Sequence, residues 1–77
     1  MTSIHSVNLN KLKKFLKHNG FKEIRQRGSH IVFNKTGIER PIIVATHGKE
    51  VKFYVCLQII NILKITKEEF LNELRNL

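Results

Sequence analysis

Lys22-Glu23-Ile24-Arg25-Gln26-Arg27-Gly28-Ser29-His30-Ile31-Val32-Phe33-Asn34 is the stretch that decides the fold. A turn around Gly28 divides it into two strands, Lys22 to Arg27 and His30 to Asn34. A strand's side chains alternate between faces, so Ile31 and Phe33 share one face and His30, Val32 and Asn34 the other. If helices cover the Ile31/Phe33 face, His30 looks out from the open one. Arg25 and Arg27, alternating with Ile24, fall on the side opposite that isoleucine and share the open face.

Downstream, Lys35-Thr36-Gly37 is a hairpin turn and Arg40 to Ala45 a third strand. Pro41 lies near its start, where a missing N–H is tolerated. Upstream, Asn8 caps a helix from about Leu9 to Asn19 by accepting bonds from first-turn N–H groups. Leu9, Leu12 and Leu16, with Phe15 beside them, make an apolar stripe, and Lys11, Lys13, Lys14 and Lys17 lie largely off it. Gly20 supplies the left-handed residue that stops the helix, and Phe21 folds back over the end in a Schellman motif.

A second helix spans about Phe53 to Lys64. Its polar residues, Gln58, Asn61 and Lys64, recur every third position, and the remainder is apolar nearly all round, the pattern of a deeply buried helix. Thr66 and Glu69 form a capping box opening a third helix to about Arg75, with Phe70, Leu71 and Leu74 inward. The order α-β-β-β-α-α is that of an α+β domain: a three-stranded antiparallel sheet with helices on one face. All 77 residues form one domain.

Charge narrows the function. Fourteen Lys and Arg face six acids, every one a glutamate, for a net +8. Residues 1–52 hold eleven of the bases and three glutamates, and residues 53–77 hold three of each, so the whole excess precedes residue 53. A field so concentrated steers a small domain toward a polyanion such as RNA. Lys11, Lys14, Lys17, Arg25 and Arg27 are the candidate phosphate-binding residues. No signal peptide or membrane span is expected: residues 1–10 lack a charged start with an apolar run, and Phe53 to Ile65 is polar-interrupted and short of the roughly 20 residues needed. With a single cysteine, Cys56, these features place the chain in the cytoplasm.

Metal chemistry is disfavoured. His5, His18, His30 and His47 have neither the spacing nor the cysteine partners of a zinc site. A chain without aspartate is poorly equipped to cluster carboxylates around two metal ions. Cys56, in an apolar helix, reads as core. RNA, however, can be cut without metal. Its 2′-hydroxyl attacks the adjacent phosphate once a base removes the proton, and an acid protonates the departing 5′-oxygen. Imidazole suits either role, and Lys or Arg stabilises the charge that develops on phosphorus.

Gly20-Phe21, Arg25-Gln26-Arg27-Gly28-Ser29-His30 and Phe33 together resemble the Gly-Phe…Gly-Ser-His signature of the HicA-type mRNA interferase toxins, the YcfA-like group. The segment ending at His47, Ile62-Leu63-Lys64 and Glu68-Glu69-Phe70 extend the resemblance over nearly the whole chain. The resemblance implies a double-stranded-RNA-binding-domain-like fold and the toxin role in a type II toxin–antitoxin system. It also implies metal-independent endoribonuclease activity on mRNA, no cofactor, and a HicB-type antitoxin partner. The family's catalytic histidine falls on His30, its glycine and serine on Gly28 and Ser29, and a substrate-binding or structural position on His47. Two departures stand out: Thr46 replaces the usual proline before His47, and Phe53-Tyr54-Val55 replaces a Gly-Thr-Leu helix start. The second suggests an extra buried contact or a sticky partner surface, such as a homodimer contact through this helix. The alternative functions are a non-catalytic RNA-binding module and a protein whose basic face binds only an acidic partner.

Overall fold

The computed structural model describes residues 6–77; His5 lies outside them. Its elements are β1 (Ser6–Asn8), α1 (Leu9–His18), β2 (Lys22–Arg27), β3 (His30–Asn34), β4 (Ile42–His47), β5 (Glu50–Lys52), α2 (Phe53–Leu63) and α3 (Lys67–Arg75). The strands form one antiparallel sheet in the order β1-β5-β4-β3-β2. Ile31, Phe33, Ile42, Val44 and Val51 are buried on one face. They meet Leu12, Phe15 and Leu16 of α1, Val55, Cys56 and Ile59 of α2, and Phe70 of α3 in one core cluster. Phe70 is its hub, with ring centroids 4.8 Å from Phe15 and 6.2 Å from Phe53, both edge-on. The helices cover a single sheet face and leave the other open. An α+β architecture with an antiparallel sheet is therefore present, consistent with the double-stranded-RNA-binding-domain-like expectation.

The expected strand count of three is corrected to five. Gly48-Lys49 closes a two-residue hairpin, so β4 runs on to His47 and β5 returns beside it with Thr46 opposite Val51 and His47 opposite Glu50. Gly48 has φ +63° and Lys49 has no positive φ, the pattern of a type II′ turn with glycine first. β1 then pairs outside β5, with Val7 opposite Val51. The third strand also starts later than expected, at Ile42: pairing begins at Phe33–Ile42, and Arg40 and Pro41 are exposed in the connection before it.

The helix ends follow their sequence signals. The Lys11 N–H donates to the Asn8 side-chain oxygen at 3.2 Å. Gly20, at φ +89°, donates to the Lys17 carbonyl and Phe21 to that of Leu16, completing the Schellman stop. Thr66 and Glu69 exchange side-chain-to-backbone bonds of 3.0 and 2.9 Å. At the end of α2 the left-handed residue is Lys64, φ +56°, so the helix stops one residue early. α2 is also less buried than its composition implied. Phe53, Val55, Cys56, Ile59 and Ile60 face the core, while Tyr54, Leu57 and Ile62 are exposed beside the polar stripe. One sheet and one helix layer can cover only one side of it.

A bulge interrupts β2. Glu23 pairs with Phe33 and Arg25 with Val32, leaving Ile24 as the extra residue. Ile24, which simple alternation sends to the covered face, is instead 53% exposed.

Candidate active site and basic sheet face

The hairpin joining β2 to β3 sets the position of His30. Gly28 has φ +60°, a conformation that side chains resist, although open space surrounds it. Ser29, the second turn residue, presents its carbonyl to β4, where the Thr46 N–H donates to it at 2.8 Å and the Thr46 hydroxyl at 3.2 Å. The turn is thus pinned to the neighbouring strand, and β3 starts from a fixed point. Thr46, the departure from the family's proline, supplies both of these bonds; a proline there would supply neither.

Residues directly opposite in an antiparallel pair project from the same face. Arg27 lies opposite His30, Arg25 opposite Val32, and Ala45 opposite His30 on its other side. His30, Arg25 and Arg27 therefore share the open face, as their sequence positions suggested. His47 follows Ala45 by two residues, so it stands on the same face, diagonal to His30 at about 7–8 Å between Cα atoms. His47 had been expected after the third strand; it is that strand's last residue. Both imidazoles are exposed, and among the described residues neither makes a hydrogen bond or ion pair.

The expected RNA-binding residues do not all come together. Leu12, Phe15 and Leu16 hold α1 against the covered face, so the exposed Lys11, Lys14 and Lys17 belong to the helix layer, across the sheet from Arg25, Arg27, Ser29, His30 and His47. Periodicity showed that these lysines face away from the core. It carried no information about which layer they share with the arginines.

The open face also holds groups that sequence reading missed. Lys22 joins it opposite Asn34, and Glu50 joins it opposite His47. Glu23 is turned to the covered side, where the Lys13 ammonium lies 3.7 Å away. The signal for Glu50 was present in His47-Gly48-Lys49-Glu50, a Gly-first two-residue turn between alternating runs. Val32, half-buried, and Ile43, 55% exposed, form an apolar centre between the charged groups.

Cys56 is fully buried, and burial pushes its thiol up to about 12, which removes it as a nucleophile. Among the described residues no three His, Cys, Asp or Glu side chains gather as a metal site would need. No helix among them is long and apolar enough to cross a membrane.

The fold and its surface define a class: a small α+β domain with one helix-covered face and one open, basic face carrying two histidines. The family model described as the HicA toxin of bacterial toxin–antitoxin systems matches residues 10–65 of the 77-residue chain. The chain belongs to that family of toxins, and with membership comes a cognate antitoxin as partner. No match was found among curated proteins or among solved structures.

Proposed function

We propose that the chain is a metal-independent endoribonuclease that cuts mRNA on its open sheet face, with His30 taking or giving the proton. The observation that carries this reading is the placement of His30: exposed, fixed by the pinned Gly28-Ser29 turn, and flanked by Arg27 and Arg25. An imidazole at this point meets the 2′-hydroxyl of a strand whose phosphates rest on the guanidinium groups. Arginine suits both tasks, since it binds phosphate oxygens with two parallel hydrogen bonds and keeps its charge. HicA toxins as a family are mRNA interferases, which supports the same reaction. Ser29 and His47 border the path of the strand. Lys11, Lys14 and Lys17 add to the attracting field from the other layer.

The chain acts in the cytoplasm, where its mRNA substrate is. The partner is a HicB-type antitoxin whose acidic surface competes with RNA for the open face. The exposed Tyr54, Leu57 and Ile62 of α2 offer an apolar contact for a second copy of the chain.

A non-catalytic RNA-binding module is the second reading. It is favoured by the absence, among the described residues, of a hydrogen bond orienting the His30 ring. The duplex-gripping version of such a module opens its last helix with a basic cluster, whereas Phe53-Tyr54-Val55 follow a single lysine here.

Controlled expression of wild type and His30→Ala in bacteria separates the two readings. Loss of a positioned acid–base group costs on the order of 10² to 10⁴ in rate, so the variant should neither arrest growth nor degrade mRNA. Purified wild type should leave 2′,3′-cyclic phosphate and 5′-hydroxyl ends and work in chelator, and a 2′-deoxy substitution at the cut should block it. Equal cleavage by His30→Ala would remove that residue from the chemistry, and chelator inhibition reversed by magnesium would remove the metal-free route.

A further inference from the structure

We propose that His47 is a second catalytic residue, the general acid that protonates the leaving 5′-oxygen while His30 acts as the base. The inference rests on the ribonuclease reading above and goes beyond it by dividing the proton transfers between two rings.

Cleavage needs two proton transfers on opposite sides of one phosphorus, because the 2′-oxygen attacks in line with the bond to the departing 5′-oxygen. A single imidazole cannot serve both sides at once. The sheet supplies two, His30 and His47, on one face and diagonal to each other, about 7–8 Å apart at their Cα atoms. That spacing lets two side chains converge on opposite sides of a phosphate lying between them.

The two rings have different neighbours across the sheet. Arg27 is directly opposite His30, where its guanidinium can hold the attacked phosphate beside the ring, and Glu50 is directly opposite His47. In the reaction the base must begin neutral and the acid protonated. The charged groups facing His47 are Glu50 and Lys52 on β5, Lys49 in the turn and His30 on β3, with Arg27 beyond His30 on β2.

The step balances without a co-reactant. The 2′-O–H proton passes to a nitrogen of neutral His30 as the 2′-oxygen–phosphorus bond forms. The phosphorus–5′-oxygen bond breaks, and its electron pair takes the proton from imidazolium His47. The products are a 2′,3′-cyclic phosphate and a 5′-hydroxyl, and water restores both rings.

The test compares two substrates in single-turnover cleavage by the full chain. One is an RNA oligonucleotide carrying the cut site mapped with wild type. The other has sulfur in place of the bridging 5′-oxygen at that site, and a thiolate leaves without needing a proton. His47→Ala and His47→Gln should be slower on the oxygen substrate by on the order of 10²-fold. Both should recover to near the wild-type rate on the sulfur substrate, whereas His30→Ala should stay slow on both. The wild-type pH–rate profile should be bell-shaped, and His47→Ala should lose the fall on its alkaline side. Wild-type speed of His47→Ala on the oxygen substrate would overturn the proposal. So would a deficit of equal size on oxygen and sulfur in both variants with native circular dichroism, which would leave His47 a binding role. A fully active His30→Ala is a different result, and it refutes the ribonuclease reading of His30 first.

Discussion

Opposite placement of the two basic groups makes a quantitative prediction about RNA affinity. Each phosphate neutralised on a single strand contributes about 0.7 to the slope of log K against log salt. If the strand lies on the open face, neutralising Arg25 and Arg27 together removes two contacts and flattens the slope by about 1.4. Between about 50 and 200 mM salt, wild type should then lose roughly sevenfold more affinity than the double arginine variant. Lys14→Gln with Lys17→Gln changes the net charge by the same amount in the helix layer, so it should slow association at low salt and leave the slope nearly unchanged. Fluorescence anisotropy of a labelled single-stranded RNA, with every protein carrying His30→Ala to prevent cleavage, measures both slopes. Equal flattening by the two double variants, or more by the lysine pair, would refute the placement of RNA on the sheet. Neutralising Lys64, Lys67 and Arg75 serves as the control for charge alone.

Three further outcomes follow from the core and the helix ends. Phe70→Ala removes the ring that joins α1, α2 and α3; a loss of about 3–5 kcal/mol should leave so small a domain largely unfolded by circular dichroism at room temperature. Lys64→Gly relieves the left-handed backbone at the end of α2 and should raise stability by up to about 1 kcal/mol, read as a higher midpoint in urea. Cys56 should resist a thiol reagent until the protein unfolds. With its pKa raised from 9.0 to about 12 by burial, its contribution to stability is intact below pH 9 and lost as pH climbs from there toward 12, because only the unfolded chain releases the proton in that interval. Denaturant midpoints that do not fall over that range in wild type, relative to Cys56→Ala, would contradict this.

Legibility differed by the range of the interaction involved. Asn8, Gly20-Phe21 and the Thr66–Glu69 box act over a few residues, and all three helix-end signals formed as their sequences indicate. The alternation Ile31/Phe33 against His30/Val32 also held, because a two-residue turn fixes strand register locally. What escaped was set by pairing at a distance. β1 is three residues long and has no pattern of its own; it exists because β5 offers a partner edge. The separation of Lys14 and Lys17 from Arg25 and Arg27 depends on which face of the sheet α1 covers, a fact absent from either segment alone. Of the site, His30 with its arginine neighbours was readable. The diagonal position of His47 waited on the length of β4, which the unrecognised Gly48-Lys49 turn decides.

The bulge at Ile24 acts like a shift of reading frame inside β2. The turn at Gly28-Ser29 sets the frame from the right, so Arg27 and Arg25 face outward whatever precedes them. Counted in that same frame without an extra residue, Ile24 would fall opposite Phe33 and Glu23 opposite Asn34, placing a carboxylate on the open face. One unpaired residue reverses the parity upstream: Lys22 turns outward and Glu23 turns under, toward Lys13. The strand thereby sorts its charges by sign without changing its composition. Deleting Ile24 would keep the sorting, because the pairs on either side already agree once the extra residue is gone. Straightening the strand while keeping every residue is what would bring the acid out among the bases.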